Sequence, residues 1–136
     1  MLNIIKNIFR RLINLYRYIT YLRKVARIGC NSSIKSPLRI RGGQHIFIGN
    51  NCRIFDGIRL EAITKWHDNK EYKPSIIIDD NVSIGQNCHF TCANKLYIGK
   101  GVSVLPHVLI TDIEHEYIPG KSIRQTGLNV GSVEIE

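Results

Sequence analysis

Hydrophobic positions from residue 28 onward recur at a period of six. Four phrases look alike: "IFIG" at 46, "IIID" at 76, "LYIG" at 96 and "VEIE" at 133, with a fainter "ARIG" at 26. Stepping by six from the isoleucine in each gives Ile28, Ile34, Ile40; Ile48, Ile54, Leu60; Ile78, Ile84, Phe90; and Ile98, Val104, Ile110. Ile135 would open a fifth set. A period of six suits neither a helix nor a simple alternating strand. Three six-residue sides make one coil with three flat faces, and stacked coils place these residues in inward ladders. The pattern predicts a parallel β-solenoid.

The position four after each inward residue is also restricted, and mostly compact: Ser32, Leu38, Cys52, Ile58, Val82, Cys88, Val102 and Val108. Cys52 and Cys88 read as small buried fillers. Asn-rich pairs such as Asn50-Asn51 fit the turns between short strands. Coil starts at 28, 48, 78, 98 and 135 leave two long excursions, read as loops 61–75 and 112–132. In solenoids such excursions often form the binding face.

Residues 1–27 follow another period. Ile5, Ile8, Leu12, Leu15, Ile19, Leu22 and Ala26 recur every three or four positions, and Lys6, Arg10, Arg17 and Lys24 line another side. This predicts a basic amphipathic helix, with Gly29 as its stop. Two readings stand side by side. The helix caps the first coil, because a solenoid end must be shielded. Alternatively it lies on a membrane surface, drawn to anionic lipid, which would suit an enzyme with lipid-linked glycan acceptors.

Charge sharpens this division. The formal net charge is +8, and residues 1–27 supply +7 of it with no acid. The basic character belongs to one segment, which argues against nucleic acid as a partner. A length of 136 residues fits one domain, here the solenoid of residues 28–136. No run of 18 apolar residues predicts a spanning helix. Four cysteines form no CxxC pair, and arginines interrupt any export signal, so free thiols in the cytoplasm are expected.

The phrases "IGNNCRI", "IDDNVSIGQNCHF" and "IGKGVSVLPHVLITD" resemble hexapeptide-repeat acyltransferases over roughly residues 26–136. The nearest branch resembles bacterial O-acetyltransferases of surface polysaccharide and lipopolysaccharide, with sugar acetyltransferases as cousins. The resemblance implies an all-β, left-handed parallel β-helix, against the usual right-handed crossover. It also implies a homotrimer, acetyl-CoA as donor and a glycan acceptor, working in the cytoplasm or on the inner face of the bacterial inner membrane. Relatives continue through further coils that line the acyl-CoA groove between subunits. "VGSVEIE" reads as the start of such a coil, so the domain is expected to be C-terminally incomplete.

In this family Thr-Asp, two residues, then His follows the coil. Here that is Thr111-Asp112-Ile113-Glu114-His115, and the resemblance assigns His115 as catalytic base. The branch often carries another His where Ile113 stands. A sugar hydroxyl is a poor nucleophile at neutral pH, and imidazole titrates in the right range to take its proton. Asp112 and Glu114 are near in sequence and are candidates to orient the ring. No metal is expected. The alternative is that His115 is a solvated loop residue.

Trp66, His67, Asp68 and Tyr72 in the first excursion would stack on a sugar ring, or Trp66 pins the loop to the coil. His89 and His107 fall on turns and read as surface residues. Relatives often carry an acceptor-contacting Asn where this chain has Gly85. Two other functions compete: a truncated, non-catalytic remnant or oligomerisation scaffold, and a metal hydrase of the same fold. The hydrase needs three histidines across subunits, which the spacing of His107 and His115 does not favour.

Overall fold

The computed structural model describes residues 2–67 and 69–136. A helix, α1 (Leu2–Leu22), precedes a stack of short strands. The first coil holds β1 (Arg27–Ile28), β2 (Ser33–Ile34) and β3 (Arg39–Arg41); the second holds β4 (Ile46–Ile48), β5 (Arg53–Ile54) and β6 (Arg59–Ala62). The third holds β7 (Ser75–Ile78), β8 (Ser83–Ile84) and β9 (His89–Cys92); the fourth holds β10 (Lys95–Ile98), β11 (Ser103–Val104) and β12 (Leu109–Thr111). A ribbon of β13 (Ile113–His115) and β14 (Leu128–Val130) follows, and β15 (Ser132–Ile135) rejoins the stack.

Like strands of successive coils pair in parallel, giving three sheets: β1-β4-β7-β10-β15, β2-β5-β8-β11 and β3-β6-β9-β12. The register matches the period-six expectation at every rung. Ile28, Ile48, Ile78, Ile98 and Ile135 are aligned. So are Ile34, Ile54, Ile84 and Val104, and Ile40, Leu60, Phe90 and Ile110. The middle rungs are fully buried, and Ile40, Val104 and Ile135 at the ends are half-buried. Each buried rung contributes about 1.5–3 kcal/mol from area alone, which explains why two-residue strands hold.

The corners explain the Asn and Gly positions. Asn31, Asn51, Asn81 and Gly101 form one column of left-handed residues, and Gly57, Asn87 and His107 form another. Asn tolerates this backbone better than most side chains, and Gly adopts it freely. In the first coil Pro37 stands where the second column would begin, and its ring locks φ near about −65°. There the inward expectation fails: Leu38 is 72% exposed. The other four-after residues pack inward, and Ser32 is satisfied by donating to the Gly49 carbonyl at 2.6 Å and accepting from Cys52 N at 2.9 Å.

Three further expectations are corrected. The helix stops at Leu22 rather than Gly29, because Val25 enters the core and Ala26 N bonds to the Ile46 carbonyl at 3.0 Å, starting the first sheet. The first loop is shorter than 61–75: Glu61 and Ala62 belong to β6 and Ser75 to β7. The second excursion, 112–132, is no open loop but an antiparallel ribbon, with His115 paired to Leu128 and Ile113 to Val130.

The placement of α1 is unexpected. It rests on β1 and β2, with Tyr21 against the core. Its apolar stripe does not cap the coil: Ile4, Ile8, Leu12, Leu15 and Ile19 are all more than half exposed. The face turned to the solenoid mixes basic and apolar side chains, Phe9 and Ile13 among them. Lys6, Arg10 and Arg17 look across a groove of about 880 Å³ at Lys35 and Arg53. No helix among the described residues is long and apolar enough to cross a membrane.

Candidate active site

Both long excursions leave the third sheet and converge beside it. The first, residues 63–74, closes on itself through a bridge between Lys65 and Glu71 and a bond from Tyr72 N to the Thr64 carbonyl at 2.9 Å. A turn at its tip, Asn69 N to the Trp66 carbonyl at 3.1 Å, directs Trp66 back toward the body. The second is the β13–β14 ribbon, held at its far end by Glu116, which accepts from Gly127 N at 3.2 Å.

His115 meets Trp66 there. Their ring centroids are 5.3 Å apart at 44°, and His67 lies edge-on to the indole at 4.8 Å. Trp66 is half-buried, while His67 and His115 are exposed. The Trp66 Nε1 is buried and has no hydrogen-bond partner among the described residues. Asp68 lies outside the described residues. A separate cleft of about 400 Å³ lies between Lys70–Lys73 of the loop and Leu128–Val130 of the ribbon, with Ala93 and Asn94 at its base; Trp66, His67 and His115 do not line it. The structure thus brings Trp66, His67 and His115 together from segments 48 residues apart in sequence.

The two carboxylates suggested as orienting groups are elsewhere. Asp112 is buried and accepts from Ala93 N, Asn94 N and Lys95 N, each at 2.8 Å, and from the Cys92 thiol at 3.3 Å. It fastens the turn between β9 and β10, and its oxygens are committed to that task. Glu114 projects from the opposite face of β13, because side chains alternate along a strand. Among the described residues no group hydrogen-bonds the His115 imidazole, which is held by ring packing alone.

Gly85 replaces the asparagine that the resemblance led one to expect, for a packing reason. A Cβ there would lie 2.5 Å from Pro106 N and 2.8 Å from the Leu105 carbonyl carbon. The next coil occupies that space, so no side chain fits at this corner.

One cluster escaped the sequence reading. Glu61, with a side chain only 8% exposed, receives Arg59 Nη2 at 2.8 Å, Arg39 Nε at 3.3 Å and His89 Nε2 at 2.8 Å. The same His89 nitrogen lies 2.7 Å from Thr91 Oγ1. A carboxylate only accepts, so Nε2 carries the proton. His89 is therefore a strand residue of β9, not a turn residue, whereas His107 does sit at a turn. The coil register was the available signal, since it aligns Arg39, Arg59 and His89 as one row and Arg41, Glu61 and Thr91 as the next.

Thiol chemistry is not on offer in the core. Burial raises the Cys52 pKa, and burial first, then the charge of Asp112, pushes Cys92 up to about 12. A thiolate is the reactive form, so both thiols are held in the less reactive state. Among the described residues no group of three or more His, Cys, Asp or Glu side chains is placed to hold a metal ion. No family model matches the chain, and no curated protein or solved structure matches it significantly.

Proposed function

We propose that the chain is an acetyl-CoA-dependent O-acetyltransferase built on a left-handed β-helix, acting on a sugar hydroxyl of a bacterial surface polysaccharide or its precursor. The observation that carries this reading is the meeting of His115 and Trp66 where both long excursions converge. His115 takes the hydroxyl proton as the oxygen attacks the thioester carbonyl. The tetrahedral intermediate collapses, the C–S bond breaks, and the imidazolium returns the proton to the departing CoA sulfur. The indole offers an apolar face to the sugar ring, as aromatic side chains do at such sites. Acetyl-CoA is a cytoplasmic donor, so we assign the reaction to the cytoplasmic side, in a homotrimer whose subunits share the donor groove.

The test is acetyl transfer from acetyl-CoA to a glycan acceptor, followed as thiol release. His115→Ala is expected to lower turnover by about 10²- to 10⁴-fold, the range supplied by a general base. Undiminished turnover would remove His115 from the role.

A second reading, a non-catalytic scaffold, draws on the unoriented imidazole, since a working base usually has a partner on its second nitrogen. Calorimetric titration with acetyl-CoA separates the two. Saturable binding supports the enzyme, and no binding by a correctly assembled oligomer supports the scaffold.

A further inference from the structure

The charge of this chain is polarised along the coil stack. From the N-terminus through Phe55 there are eleven lysines and arginines and no acid; Asp56 is the first. From there to the C-terminus come eight basic and eleven acidic residues. Because coils stack in chain order, the first coil and α1 form a positive end. That same end carries the exposed apolar stripe of α1, from Ile4 to Leu22, at 41–71% exposure for its large side chains. The basic side chains of the helix lie on the opposite face, towards Lys35 and Arg53.

We propose that α1 is an interfacial anchor that lays its apolar stripe into an anionic lipid surface. The geometry fits a surface-lying helix. Its 21 residues extend about 31 Å in one plane. The solenoid rests on the side away from the stripe, so nothing in the fold blocks contact with a bilayer. Lys6, Arg10, Arg11 and Arg17 line the groove behind the stripe, and their charge, added to that of Lys35 and Arg53, draws this end of the chain towards an anionic surface as the apolar side chains enter the acyl boundary. A second copy of the chain is the poorer occupant: apposing two stripes would bring two wholly basic segments together with no acid on either to offset their repulsion. This inference uses no residue of the Trp66–His115 site and stands apart from the acetyl-transfer reading.

The experiment is co-sedimentation of the full chain with phosphatidylcholine vesicles, with and without about 30 mol % phosphatidylglycerol. Binding to the anionic vesicles is expected to exceed binding to the neutral ones by about tenfold and to weaken as salt rises. Leu12→Glu/Leu15→Glu is expected to lower binding by at least about tenfold, with thermal unfolding of the solenoid unchanged by circular dichroism. A charge variant, Arg10→Gln/Arg17→Gln, is expected to narrow the difference between vesicle types. Equal binding of wild type and the Leu12→Glu/Leu15→Glu variant would overturn the proposal. So would indifference to phosphatidylglycerol, or an oligomer that ignores vesicles and falls apart in that variant.

Discussion

Ile48 and Ile8 are the same residue in two regions of one chain, and their fates are opposite. Ile48 is 1% exposed between Ile28 and Ile78 on the first sheet, whereas Ile8 is 53% exposed on α1. Both were placed by an equally regular apolar period. The period tells which residues share a face; it does not tell what that face meets. In the solenoid the partner is built in, since each coil presents its ladder to the next. In α1 the face has no partner among the described residues, and the helix rests on β1 and β2.

This contrast is most directly broken by charge. Ile78→Asp puts an unpaired carboxylate in the middle of a buried ladder, at a cost of about 4 kcal/mol or more, and is expected to abolish cooperative unfolding. Ile8→Asp is expected to change stability by less than about 0.5 kcal/mol in the same urea titration, because that side chain is 53% exposed. Comparable losses would show that α1 is integral to the core.

A smaller effect is expected at Asp112, which ties the second excursion to the stack. Asp112→Ala removes the acceptor for three backbone N–H groups. A loss on the order of 3 kcal/mol is expected in urea, because these donors are buried or partly buried and strand without it. Asn in its place keeps one acceptor oxygen and is expected to recover part of the loss.

The smallest effect concerns thiols. Iodoacetamide on the native protein at pH 8 is expected to label exposed Cys30 and spare Cys52, Cys88 and Cys92, with all four labelled in urea. The pH dependence follows from Cys92. Its raised pKa means that the folded state favours the neutral thiol. That contribution is fully present below the ordinary value of 9.0 and is lost as pH rises through about 12. Chemical denaturation at pH 8 and at pH 10.5 is expected to show the decline, and the Cys92→Ala variant a shallower one.

Much of the fold was legible because the inward isoleucines are nearly uninterrupted. The departures share a cause: a neighbour that only the folded chain supplies. Leu38 turns outward because Pro37 cannot take the left-handed corner. Glu61 looked like loop sequence until β9 supplied His89 across the sheet. At the site, His115 and Trp66 were each picked out singly, yet nothing in their spacing revealed that they touch. Asp112 looked like an orienting carboxylate by proximity, and the turn at residues 93–95 claimed it instead.

The uneven charge along the stack acts before any contact is made. A body positive at one end and slightly negative at the other experiences a torque near an anionic surface, and over about one Debye length, roughly 10 Å at 0.1 M salt, it turns its α1 end inward. The ribbon bearing His115 leaves the stack three strand spacings further on, roughly 14 Å along the axis. Such an encounter would fix the height and orientation at which Trp66 and His115 stand above the surface, before the helix has inserted a single side chain.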